Sequence, residues 1–326
     1  MGNTRESRSR PLTIGFIGLA TSHPFADAAT IISRHPDAAV QVWEPEADRL
    51  AVFLDRFPTA SAHDGLAGVI DSGPDGAIIS TRPPEIAAAV SALADHEIPV
   101  FINKPAAATL EQLADVDAQV RPIAERVLST SVLRFAEPVQ SLAARIDLDR
   151  VLTARATVRH DVARWLAGST DWQDDVRVGG GAIVTIGIHG MELLVTLLGA
   201  RFEIESTMSG IRHLEGLKSE DTAVIGVRWS NGVLGTIEVI GATEEERYSV
   251  ALETLDGTET IELRSGGQDP FGYERTIEHF LGMVDAGRRG LPIVSPVAWE
   301  HTHAILEGIV TASSRAHHRA GILPAR

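Results

Sequence analysis

Residues 12–23 read LTIGFIGLATSH. Leu12 to Ile17 form an apolar run of strand length, and at Gly18 the chain turns through small residues into a helix. A dinucleotide fingerprint has this form, because small side chains at the strand-to-helix turn let backbone N–H groups approach a pyrophosphate. With Gly18 as the first glycine, Ala20 takes the second position and His23 the third, a degraded match that an ordinary tight turn satisfies equally well. Thr21 and Ser22 add hydroxyl donors to the same turn.

Downstream, the chain continues the alternation that a sheet behind such a turn requires. Short apolar segments at 40–43, 76–80, 100–102 and 127–131 read as strands. Between them run helical stripes, Leu50, Phe53, Leu54 and Phe57 in one, Ile86, Val90 and Leu93 in another. Strands alternating with helices of this length imply right-handed crossovers and a doubly wound parallel sheet. Glu44 ends the second strand, where a carboxylate accepts from ribose hydroxyls and repels a 2′-phosphate, favouring NAD over NADP. Beside Pro45 it also reads as a solvated loop carboxylate. Residues 101–105, FINKP, put Lys104 just past the carboxyl end of the fourth strand. Ligands bind at that edge of open α/β sheets, although a lone lysine there is often a surface charge.

After about Val127 the pattern changes, and Arg134 to Pro138 read as the exit from the first sheet. Longer strands are predicted at 151–158, 222–229, 233–240, 248–255 and 260–263, with a tight hairpin at Ser230-Asn231-Gly232. Helices are expected at about 181–198, 276–286 and 299–314. The expected organisation is a flexible tail over 1–10, a Rossmann domain over 11–130, and an α+β substrate and oligomerisation domain over 131–326. The second domain is expected to hold an open antiparallel sheet with helices on one face.

Residues 179–192 read GGGAIVTIGIHGME. Three glycines allow close approach of backbone to a ligand or another chain. On one continuous helix Thr185, His189 and Glu192 share a face. Histidine suits proton transfer near neutral pH, although a lone histidine on an apolar helix is commonly a satisfied core residue.

Composition excludes several classes of function. The chain of 326 residues carries 44 acidic and 29 basic residues, a net charge of −15, and lacks the basic footprint that nucleic acid or anionic lipid demands. It contains no cysteine, so disulfides, thiolate metal sites and cysteine nucleophiles are absent. The polar start MGNTRESRSR has no apolar signal-peptide region, no segment reaches membrane-spanning length, and a cytoplasmic protein is expected. No metal site is predicted. His301 and His303 fall on different helix faces, and His317-His318 read as surface or capping residues.

Taken together, Gly18 with its turn, Glu44, Asn103-Lys104-Pro105, Arg134-Phe135, the 179–192 segment, Asp221-Thr222 and the Asn231-Gly232 hairpin resemble the Gfo/Idh/MocA family, in its order and spacing. The resemblance covers about residues 11–315. It implies a Rossmann domain with an antiparallel-sheet domain, an active site between them, and hydride transfer between nicotinamide and a hydroxyl-bearing carbon of a sugar, cyclitol or related substrate. It implies that Lys104 steadies the substrate oxygen and contacts the cofactor, and that His189 is the general base. Gly18, Ala20, Thr21, Ser22, His23, Glu44, Ser80, Thr81, Arg82, Asn103 and Lys104 are the candidate cofactor contacts. Lys104, Arg134, His160, Trp172 and His189 are the candidate substrate contacts, and Asp161, Arg159 and Arg164, beside His160 at a strand end facing the interdomain cleft, are further candidates.

The sequence departs from the family at four places. Asn103 stands where the family has glutamate, Thr185 where it has an aspartate one turn before the histidine, Glu192 where it has an aspartate near the foot of the helix face, and the 81–84 loop lacks the usual histidine. Thr185 is expected to offer His189 a hydrogen bond in place of the carboxylate, and Arg82 to meet an anionic substrate or the cofactor. These departures also admit a non-catalytic sensor or scaffold of the same fold. A homodimer or homotetramer is expected on the supposition that the open face of the second sheet is apolar.

Overall fold

The computed structural model describes residues 10–168 and 170–319. Its elements in chain order are β1 (Thr13–Ile17), α1 (His23–Arg34), β2 (Ala39–Trp43), α2 (Ala47–Arg56), β3 (Ser61–Ala62), α3 (Leu66–Asp71), β4 (Gly76–Ile79), α4 (Pro83–Leu93), β5 (Val100–Asn103), α5 (Leu110–Val120) and β6 (Val127–Thr130). There follow α6 (Glu137–Ala143), β7 (Val151–Asp161), α7 (Gly181–Thr185), α8 (Gly187–Leu198), β8 (Phe202–Gly210), β9 (Thr222–Trp229), β10 (Leu234–Ile240), β11 (Ala242–Thr254), β12 (Gly257–Arg264), α9 (Tyr273–Arg288) and α10 (Trp299–Arg319). Of the tail expected over 1–10, residues 1–9 lie outside the described residues. Arg10 is anchored, its guanidinium paired with Asp75.

The first sheet has the order β3-β2-β1-β4-β5-β6 with every pair parallel. Its central strands are buried on both faces, as their continuous apolar runs require. Ile14, Phe16, Ile78 and Phe101 face a layer built from α1, α2 and α9, while Ile17, Ile79 and Ile102 face α3, α4 and α5. The α9 stripe of Ile277, Phe280, Leu281 and Val284 therefore covers the first sheet, although it lies late in the chain, and Phe280 packs 6.0 Å from Phe101. Strand order reverses direction between β1 and β4. This switch opens a crevice beyond the carboxyl ends of the strands.

The second sheet, β12-β11-β7-β10-β9-β8, is antiparallel except at β7 and β10, which run parallel. Asn231 and Gly232 make the β9–β10 turn, with Gly232 at φ +92°. One face packs on the almost wholly buried α8, with α10 behind it. The other face presents Arg155, Thr157, Arg159, Thr236 and Glu238, with Thr157 donating to Glu238 at 2.9 Å. It is polar, which removes the apolar-face argument for an oligomer. Among the described residues no helix is long and apolar enough to cross a membrane.

Two features differ from the expected local structure. The helix anticipated over 181–198 breaks at Ile186 (φ −114°, ψ −32°) into α7 and α8. Strand β8 was not anticipated, because a register shift between Ile204 and Ser206 interrupts its two-residue alternation.

Candidate active site

Gly18, at φ +79°, is the glycine that the first turn requires: an added Cβ would lie 2.8 Å from the Thr81 backbone nitrogen. The turn is pinned to its neighbours. Gly18 N–H donates to the Trp43 carbonyl, Ala20 N–H to the Ser80 carbonyl, both at 2.8 Å, and Leu19 N–H to Glu44 Oε2 at 2.5 Å. Glu44 is buried, with Arg49 at 3.5 Å and Glu46 N–H on its other oxygen. It is no solvated loop carboxylate. The hydroxyl of Thr81 is buried without a partner at the same turn. Arg82 pairs with Glu46 and does not line the cleft described below.

Beyond the carboxyl ends of β1 and β5, a cleft of about 170 Å³ separates the two sheets. The first sheet brings Thr21, Ser22, His23 and Lys104 to it, the glycine–histidine segment brings Thr185 and His189, and α9 brings Tyr273. The second sheet contributes His160 and, just beyond β7, Arg164, with Glu246 and Tyr248 from β11; Gln173 lies beside them.

Gly180 and Gly181, at φ +85° and +71°, bend the chain into α7, and Gly179 passes so close to Gln173 that an added Cβ would lie 2.4 Å from its Cα. The break at Ile186 ends α7 at Thr185, whose carbonyl accepts from Lys104 Nζ at 3.1 Å. The Thr185 hydroxyl donates instead to the Gly179 carbonyl at 3.1 Å, so it does not serve His189 as expected. That part falls to Ser131, whose Oγ lies 2.6 Å from His189 Nδ1. Tyr248 packs on the imidazole at 5.0 Å. Burial pushes His189 well below the ordinary histidine range, and Lys104, His160 and His23 add to the effect. Burial brings Lys104 down to about 8, with Arg164 pressing the same way and Glu246 opposing.

Glu192 lies beneath the cleft. It accepts from the Thr130 hydroxyl at 2.6 Å, from Ser131 N–H at 3.2 Å and from Arg134 Nε at 2.5 Å. Arg134, expected at the substrate, is thus spent on Glu192 outside the cleft lining, and the buried Trp172 is likewise outside it, next to Gln173. Asn103 donates to Ser80 Oγ at 2.6 Å and to Asp27 Oδ2 at 3.0 Å. Asp27, on α1, restores a carboxylate beside position 103, and burial raises it to about 7 against the opposing Asn103 hydrogen bond. His23 was expected as a cofactor contact at the glycine turn. It lines the cleft, its ring 5.6 Å from Tyr273 and its buried Nδ1 without a partner. Asp27, Gln173, Glu246, Tyr248 and Tyr273 are further members of the site that the sequence reading lacked, whereas Arg164, expected beside His160 as a substrate contact, does line the cleft. Glu246 had one legible signal, its place in the acidic run 244–246 at the start of a strand. Among the described residues no group of histidines and carboxylates is arranged to hold a metal.

Residues 138–258 match the model of the GFO/IDH/MocA C-terminal domain. This part of the chain is similar to that family's domain. A search of curated proteins found no match. Among solved structures, a myo-inositol dehydrogenase from Corynebacterium glutamicum is similar at 17% identity and TM-score 0.73, covering 97% of this chain and 100% of its own. The WlbA dehydrogenase from Bordetella pertussis, in complex with NADH and UDP-GlcNAcA, is similar at 16% identity and TM-score 0.76, covering 97% and 99%. A myo-inositol 2-dehydrogenase from Lactobacillus plantarum is similar at 13% identity and TM-score 0.79, covering 95% and 98%. The likeness to these structures is one of fold, over nearly the whole of each chain.

Proposed function

We propose that the chain is an NAD-dependent oxidoreductase that moves a hydride between nicotinamide and a hydroxyl-bearing carbon of a sugar, cyclitol or sugar-derived substrate. The observation that carries this reading is the meeting of Lys104 and His189 in one cleft at the carboxyl ends of β1 and β5, beside the Gly18 turn. The GFO/IDH/MocA domain match and the dehydrogenases of like fold support it.

The residues present fit the cofactor. Glu44, buried at the end of β2, offers an acceptor to a ribose hydroxyl and a negative charge against a 2′-phosphate. Thr81 holds an unpartnered hydroxyl beside the glycine turn, and Thr21 and Ser22 sit at the start of α1. When bound, the nicotinamide supplies the hydride acceptor or donor. The protein's own part is proton management and positioning. His189 is neutral at pH 7, and with Nδ1–H donating to Ser131 Oγ, Nε2 is the base that takes the substrate hydroxyl proton. Lys104, tethered to the Thr185 carbonyl, donates to the same substrate oxygen. Asp27 and Ser80 hold Asn103, the residue before that lysine. Orientation of the base by Ser131 replaces the aspartate missing at Thr185, which weighs for catalysis over a sensor.

Calorimetric titration with NADH and NADPH tests the cofactor assignment: NADH is expected to bind at least about tenfold more tightly. Equal affinity, or none for either, would remove Glu44 from the role given to it.

A further inference from the structure

The cleft holds more positive charge than its own carboxylates answer. Lys104 lies within it and Arg164 at its mouth, and among the described residues neither has an ion-pair partner. The carboxylate lining the cleft, Glu246, already accepts from the Tyr248 hydroxyl at 2.7 Å and lies 3.9 Å from His160 Nε2. Arginines nearby are treated differently. Arg134 is paired with Glu192, Arg82 with Glu46, Arg49 with Glu44 and Glu46, and Arg159 with Glu245. In a protein of net charge −15, two unpaired cations around one small cleft are a local inversion of sign. Such a field concentrates anions and rejects cations.

The polar groups left over describe the rest of the occupant. Gln173 Oε1 is a buried acceptor without a partner, and His23 Nδ1 is buried without one as well. Gln173 Oε1 calls for a hydroxyl donor on the ligand. Arg164 ends in a planar fork that fits a carboxylate through two parallel hydrogen bonds. The backbone that carries it is held: Ala163 N–H donates to Asp161 Oδ1 at 2.8 Å and Val162 N–H to the Gly241 carbonyl at 2.9 Å.

Building on the proposed function, we infer that the substrate is a polyhydroxy carboxylate, a sugar acid whose carboxylate pairs with Arg164 while one of its hydroxyls meets Lys104 and His189. Arg164 is then a specificity residue, remote from the reacting carbon, that distinguishes acids from neutral polyols.

The test uses the full chain saturated with NADH, titrated calorimetrically with matched ligands: gluconate and glucuronate, glucose and myo-inositol, and glucose 6-phosphate. The sugar acids are expected to bind about tenfold or more above the neutral compounds, an advantage that shrinks as salt is raised. Arg164→Gln is expected to abolish that advantage, lowering the affinity for the acids at least about tenfold more than that for neutral polyols. Arg164→Lys should restore part of it, as a point charge without the fork. Equal binding of acids and neutral polyols, or an acid preference that survives Arg164→Gln, overturns the inference. A preference confined to glucose 6-phosphate overturns the carboxylate and makes the anion a phosphate. Turnover is read separately with NAD. Acids that bind through Arg164 without hydride transfer overturn the proposed reaction and leave this inference standing. Turnover of neutral polyols alone does the reverse.

Discussion

Two buried histidines sit on either side of the glycine segment, and they are built to opposite ends. His317, on α10, has both nitrogens engaged: Nε2 lies 2.6 Å from Glu220 Oε2 and Nδ1 3.2 Å from Ser313 Oγ. Glu220 in turn accepts from Ile183 N–H at 2.6 Å, and the Ser313 hydroxyl donates to the Gly180 carbonyl at 3.2 Å. This chain fastens α10 to the start of α7. Serine, histidine and glutamate in that order suggest a nucleophile, but Ser313 lies inside α10 and spends its hydroxyl on the Gly180 carbonyl. His189 also has a serine neighbour and equal burial, but no carboxylate, and it lines an open cleft among other nitrogen bases and cations. Burial does not separate the structural histidine from the chemical one. Saturation does: one network is closed on itself, and the other is completed by a ligand.

The comparison predicts that the two histidines fail differently. His189→Ala is expected to cut turnover by about 10²–10⁴-fold, the usual range for a lost general base, with thermal unfolding little changed. His317→Ala should do the converse. It leaves Glu220 Oε2 buried without its partner and costs about 3 kcal/mol of stability, while the folded fraction keeps most of its turnover. Calorimetric unfolding and steady-state kinetics on the two variants read this directly. A His317→Ala protein of normal stability and no activity would erase the distinction.

What the sequence makes legible follows from the range of the interactions. The Gly18 turn, Glu44 and Lys104 lie at strand ends within single β-α units, so local pattern places them. Arg164, Glu246, Tyr248 and Tyr273 reach the cleft from the ends of β7, β11 and α9, and no spacing in the chain relates them to Lys104. His317 looks like one of a surface pair because its neighbour His318 is more exposed. Its burial depends on Glu220, which lies 97 positions away. The break at Ile186 is hidden because Ala182 to Leu198 is a nearly continuous apolar run without a proline, yet the break leaves the Thr185 carbonyl to hold Lys104. The side chains of Arg134 and Thr185 turn to Glu192 and to the Gly179 carbonyl, contacts that no local pattern announces.

Asp27 sharpens the contrast through pH. It is a buried carboxyl bonded to Asn103, and its native value of about 7 lies above the 3.8 of an ordinary aspartate. Between those values the native state holds a proton that the unfolded state releases, so stability falls as pH rises from about 4 to about 7. Asp27→Asn is expected to flatten that part of the profile, gaining on the order of 2 kcal/mol relative to the native protein at pH 7. An unchanged profile would mean that Asp27 is ionised in the folded protein.

Lys104 gives the smallest effect and the most direct reading of an unsaturated site. Its native value of about 8 lies below the ordinary 10.5, so below pH 8 the folded protein bears the cost of a charged amine held in a cationic cleft. Between pH 8 and 10.5 the unfolded chain binds the extra proton, and stability rises with pH. Lys104→Met removes both the charge and that slope. The variant is expected to lose turnover and yet unfold later at pH 7, by about 1 kcal/mol, the gain vanishing above pH 10. Ser313→Ala, made in the closed network, has no such release to offer. It takes a partner from His317 and Gly180 and should only destabilise. If Lys104→Met instead destabilised the fold at neutral pH, the tether to the Thr185 carbonyl would outweigh the charge. Lys104 would then belong with His317 among the residues that hold the protein together.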